Sequence, residues 1–179
     1  ALHLTNTLLL LAALTLTAHF LSRGNGAMRD SITLRSPALA ITGLTATLLV
    51  GVTGSLAALG DTLYPAHNLA AAFAQDFAPG SSWLLRIRWV HPAASAIAAA
   101  FIVWLVYRTW KRVDRSDRPI ALAVVLLLGL QILLGIADVT LLAPTWLQMS
   151  HLLGADLLWI ALVILAARIC LVPKSQATS

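Results

Sequence analysis

The apolar residues of this chain fall into five long blocks, and that arrangement constrains the fold more than any other feature. The blocks are Leu2–Leu21, Pro37–Leu59, Leu84–Tyr107, Pro119–Ala143 and Leu147–Val172. Each has the length needed to cross a hydrocarbon core, about 20 residues of helix. Lipid offers the backbone no water, so a crossing segment must satisfy its own hydrogen bonds as a helix. The expected class is an all-α integral membrane protein with five transmembrane helices. Composition agrees: charged residues make up 11% of the 179, where a soluble domain carries about 25%.

The charges sit in the gaps. Ser22–Ser36 holds Arg23, Arg29 and Arg35 against Asp30. Gly60–Trp83 holds Asp61 and Asp76 with no Lys or Arg. Arg108–Arg118 holds Arg108, Lys111, Arg112, Arg115 and Arg118 against Asp114 and Asp117, and the tail carries Lys174 after Arg168. Basic and non-basic gaps alternate, so the positive-inside rule puts the N-terminus outside and the C-terminus in the cytoplasm. In a bacterial cell this is a multi-pass protein of the inner (plasma) membrane. Arg86 and Arg88 are the exceptions, at the outer end of the third span. Trp83, Trp89 and Trp146 mark the outer interface, and Trp104 and Trp110 the inner one. Cations divided among gaps form no single basic face, which excludes nucleic acid as a partner. The membrane lipid is the partner that composition demands. The single Cys170 excludes an intrachain disulfide and a Cys-based metal site. No signal peptide opens the chain, and a span beginning almost at Ala1 reads as the interior of a longer protein.

This topology gives the histidines a depth. His3, His91 and His151 all lie near the outer ends of their spans; His67 is in an outer loop and His19 at an inner end, and neither is assigned a role. Aligning His3 with His151 also aligns Leu9-Leu10 with Leu157-Leu158, Ala13-Leu14 with Ala161-Leu162, and Ala18 with Ala166. Such parallel repeats are a known membrane architecture. The spacing predicts that residues 1–22 are the last helix of an otherwise missing N-terminal half. Residues 37–172 are then a complete antiparallel four-helix bundle, and 173–179 a cytoplasmic tail.

Intramembrane histidines are costly and usually functional. His91 and His151, on the third and fifth spans, are diagonal in an up-down bundle. That leaves room for an iron ligated by one imidazole from each side, or each ring simply bonds a neighbouring helix. Arg88 lies on the His91 face, and Arg86 and Arg88 are candidates to pair with haem propionates. Pro92 predicts a kink or a first turn. Asp138 and Asp156 are intramembrane carboxylates that pair with each other, with Gln131 or with an arginine, or relay protons. Gly51, Gly54 and Ser55, and Gln131 with Gly135, give small faces suited to close packing or to a flat macrocycle. Asn6 and Thr7 orient His3 or bridge helices.

The residues reached so far resemble the haem A synthase family. The resemblance rests on His3-Leu-Thr-Asn-Thr, Ala58-Leu-Gly-Asp-Thr-Leu-Tyr-Pro, Arg86-Ile-Arg-Trp-Val-His-Pro, Leu130-Gln-Ile-Leu-Leu-Gly-Ile and Ala143-Pro-Thr-Trp-Leu-Gln-Met-Ser-His-Leu-Leu, in that order along the whole chain. It implies oxidation of the haem O methyl group to the formyl of haem A for cytochrome oxidase assembly, with water as oxygen source. It further implies a haem b between His91 and His151, and His3 as a ligand to the substrate haem. The family's glutamate, in a Glu-x-x-His-Arg motif, has no counterpart here, since the chain contains no glutamate. This portion alone is therefore expected to be inactive. Pro92 stands where many members have Arg, which makes Arg86 and Arg88 the propionate candidates. Haem O synthase, an electron acceptor and a second copy of the chain are the partners to consider. Two other classes stay open: a non-catalytic bis-His membrane cytochrome, and a transporter or assembly factor relaying protons through Asp138 and Asp156.

Overall fold

A computed structural model of the chain describes residues 1–22, 32–34, 37–110, 115 and 117–173. Arg23, Arg29, Arg35, Lys111, Arg112 and the tail from Lys174 lie outside the described residues. The elements are α1 (Leu2–Ser22), β1 (Ile32–Leu34), α2 (Pro37–Leu63), α3 (Leu69–Phe77), α4 (Trp83–Thr109), α5 (Arg118–Thr140), α6 (Thr145–Cys170) and β2 (Leu171–Pro173). All five expected spans are present as helices long and apolar enough to cross a membrane. The strands form a short antiparallel clip, Ile32 opposite Pro173 and Leu34 opposite Leu171.

Round the bundle the order is α2, α4, α5, α6, so α4 and α6 are diagonal, as expected. α2 lies closely along α4, α5 along α6, and α6 closes on α2, whereas α4 and α5 touch sparsely. Lipid tails are as apolar as leucine, so close approach rather than burial from water holds such helices together. Glycines supply it. A Cβ at Gly43 would meet Leu105 at 3.7 Å, and one at Gly60 would stand 3.1 Å from the Leu84 carbonyl. Between α5 and α6, the Gln131 amide occupies the notch that Gly154 leaves open, and donates to the His151 carbonyl at 3.0 Å. Toward the α4–α5 turn the bundle is solid: Ile102 and Val106, Val124 and Leu128, and Leu158 and Leu162 form one buried cluster.

α1 packs outside the bundle, against α6 and α2. A Cβ at Gly51 would come within 3.3 Å of Leu8, and the Trp159 indole donates to the Leu8 carbonyl at 2.8 Å. Gly51 thus serves close packing.

Three local features differ from the reading of the sequence or sharpen it. The Gly60–Trp83 gap contains a helix, α3, capped by Asn68, whose side chain accepts from the Ala71 amide at 2.8 Å. Pro92 lies well inside α4, which continues through it; the missing N–H leaves the Arg88 carbonyl without its helical donor. The α5–α6 turn places Leu142 (φ 62°) and Ala143 (φ 53°) in the left-handed region.

Candidate functional site

His91 is the ninth residue of α4 and His151 the seventh of α6. At 1.5 Å per residue they lie about 12 and 9 Å from their helix starts, in one layer of the bundle. Both are half-buried. Their ring centroids are 6.5 Å apart and their planes perpendicular, at 89°. Two metal–nitrogen bonds of about 2 Å, plus roughly 1.1 Å from each nitrogen to its ring centre, put ring centres about 6.2 Å apart across a shared iron. The spacing found fits that requirement.

Each imidazole rests on a glycine of the helix beside it. A Cβ at Gly54 of α2 would stand 2.8 Å from His91 Cε1, and one at Gly135 of α5 would stand 3.4 Å from His151 Cε1. Any larger residue at Gly54 would push the His91 ring aside. The small faces noted in the sequence therefore divide by role: Gly54 and Gly135 seat the histidines, while Gly51 seats α1.

His91 also has a partner on α2. Thr53 Oγ1 donates to the Val50 carbonyl at 2.9 Å and lies 3.3 Å from His91 Nδ1. In the tautomer with the proton on Nδ1, the ring donates to Thr53 and the Nε2 lone pair is available to a metal, the arrangement by which an outer partner orients a ligating histidine. Nothing in the sequence marks Thr53 among the many threonines of this chain; its role appears only once α2 lies along α4. His151 Nδ1 is buried without a hydrogen-bond partner among the described residues, so this ring keeps an unused polar atom.

Beside His91, Arg88 is held by two carboxylates and two backbone carbonyls. Its Nε lies 3.0 Å from Asp61 Oδ1 and its Nη1 3.3 Å from Asp76 Oδ1, while Nη2 donates to the carbonyls of Gly60 at 2.7 Å and Tyr64 at 2.9 Å. Asp76 also accepts from the Trp89 indole at 3.2 Å. Burial pushes the Asp76 carboxyl above the usual carboxylate range, against the opposing pull of Arg88 and the Trp89 N–H. Phe73 and Phe77 stack on Trp89, at 5.1 and 5.7 Å between centroids. This cluster ties α3 across the ends of α2 and α4, next to the histidine layer. Arg86 is exposed and donates to Ser81 Oγ at 3.2 Å.

The remaining sequence candidates lie apart. His3 is exposed at the start of α1, its carbonyl accepting from Thr7 Oγ1 at 3.0 Å; Asn6 is exposed beside it. Among the described residues no group of three or more His, Cys, Asp or Glu could hold a metal, so His3 does not join the pair. His67 is exposed. Asp138 and Asp156 each keep one buried oxygen without a partner among the described residues. Gln131, a candidate partner for them, instead bonds the His151 carbonyl.

The sequence model of a family described as cytochrome oxidase assembly protein matches residues 1–163. Two proteins named protoheme IX farnesyltransferase, from two strains of Thermus thermophilus, are each 36% identical over 172 residues. The match takes in 92% of this chain and 27% of theirs, so the chain spans about a quarter of the length of these relatives. No solved structure matches the chain.

Proposed function

Since the chain belongs to the haem A synthase family of cytochrome oxidase assembly proteins, we propose that its four-helix bundle binds a b-type haem between His91 and His151. The observation that carries this reading is the pair itself: two imidazoles on diagonal helices, centroids 6.5 Å apart, each seated on a glycine. Bound there, the haem supplies one-electron redox chemistry within the membrane. The protein's own contribution is orientation. Thr53 holds His91 with Nε2 free for iron, Gln131 fixes the α6 turn that carries His151, and Gly54 and Gly135 keep the space beside both rings.

The wider activity we propose is oxidation of a haem methyl group to a formyl, with water as the oxygen source and a separate electron acceptor as the oxidant. The methyl-oxidising chemistry belongs to residues this sequence does not contain, and His3 is the proposed contribution of this chain to the substrate haem. The Thermus relatives are named for attaching a farnesyl group to protohaem IX. That supports a haem-farnesylating enzyme as the supplier of the substrate. Arg86, exposed at the same end, is the better placed of the two arginines for a propionate, because Arg88 already holds two carboxylates. The proposed setting is the bacterial inner membrane, cation-rich turns on the cytoplasmic side.

The test is a reduced-minus-oxidised spectrum of the purified chain. A b-type signal is expected in the wild type and lost in His91→Ala and in His151→Ala, with helical content by circular dichroism unchanged. A signal that persists in both variants rejects the site.

A further inference from the structure

At the other end of the bundle the sparse α4–α5 contact leaves a groove of ≈750 Å³. It is lined by Ala100, Val103, Trp104 and Tyr107 of α4 and by Val125 and Gly129 of α5, among others. From Ala99 to Tyr107 it runs about 12 Å along the helix, close to the depth of one leaflet's hydrocarbon, about 15 Å. Its walls offer almost nothing polar. Its end meets Arg108 at the close of α4, where the most cationic stretch of the sequence begins, Arg108–Arg118. Asp117 is taken by Arg168 at 2.7 Å, and no ion pair engages Arg108, Arg115 or Arg118 among the described residues. Arg108 lies over the Trp104 ring, 5.5 Å from its centroid, and Arg118 over Trp110 at 5.7 Å, both within cation–π range. An indole takes none of a guanidinium's N–H donors, and that fork suits a phosphate. Trp104 joins the two halves: it lines the groove and carries Arg108.

We infer that this groove holds one acyl chain of an anionic phospholipid, with the lipid phosphate bound by Arg108 and Arg118. Basic pockets between transmembrane helices recognise anionic headgroups in this way. A second copy of the chain is disfavoured as occupant, because a self-complementary contact across this groove would bring the two cationic ends together. A zwitterionic lipid would place its own cation beside theirs.

The test is native mass spectrometry of the whole purified chain in non-ionic detergent. Phosphatidylglycerol and phosphatidylcholine of identical acyl chains are offered in competition, with inorganic phosphate as a separate arm. One phosphatidylglycerol per chain is expected, in preference to phosphatidylcholine. An arginine near a membrane surface contributes about 1 kcal/mol, so Arg108→Gln and Arg118→Gln should each weaken retention about five-fold. Gly129→Leu should abolish retention by filling the groove. A Cβ at Gly129 meets nothing within 4 Å, so this variant should fold, with helical content as the check. Equal retention of both lipids, unchanged retention in Gly129→Leu or in the double Gln variant, or displacement of the lipid by inorganic phosphate would each overturn the proposal. A chain dimer that excludes lipid would overturn it too.

Discussion

A methyl group added at Gly54 would stand 2.8 Å from His91 Cε1, and at Gly135 3.4 Å from His151 Cε1. The first distance forces a shift and the second is ordinary contact. Gly54→Ala should therefore sharply reduce b-type haem absorbance while Gly135→Ala keeps most of it; equal loss would mean that the glycines do not seat the rings as described. Thr53 gives a second prediction. Removing the outer partner of a ligating histidine costs about 10–100-fold in affinity. Thr53→Val should weaken haem retention by that order, and Thr53→Ser should restore it, both measured by haem titration. At this scale the sequence marked the two histidines and not the residues that support them. A histidine inside an apolar block is conspicuous because it is expensive there. Thr53 is one of several threonines whose hydroxyls bond their own helix, as Thr42 and Thr47 do, and only the approach of α4 distinguishes it.

The spans were legible because apolar length admits one solution in lipid, and the helix ends fall within a few residues of the block ends, on either side. α3 was not. Its nine residues are too short to announce themselves, and they gain their place from partners far along the chain, Asp76 meeting Arg88 and Trp89. Breaking one partner of a buried ion pair typically costs roughly 3 kcal/mol. Asp76→Ala should thus free α3, seen as faster hydrogen exchange over Leu69–Phe77, while the haem spectrum is retained. The α5–α6 turn makes the opposite prediction. Ala143 sits at φ 53°, where a side chain costs about 1 kcal/mol. Ala143→Gly should raise the thermal midpoint of the chain; a lower midpoint would show that the turn is not strained.

Across the whole molecule the packing resolves into two helical hairpins. α2 and α4 are one, α5 and α6 the other, and α1 leans on the outside, pinned by the Trp159–Leu8 bond. Interhelical bonds in membranes are worth about 0.6–2 kcal/mol, so Trp159→Phe should loosen α1, read as increased proteolysis after Ser22, without altering the haem site. The hairpins could not be seen as separate units beforehand, because the apolar blocks carry no record of which neighbours pack tightly. Their separateness bears on what holds the bundle together. Gly54 and His91 meet inside the first hairpin, and Gly135 and His151 inside the second. Each imidazole is therefore aimed by contacts within its own hairpin, so on the proposed reading a haem iron taken up between them would rivet one hairpin to the other.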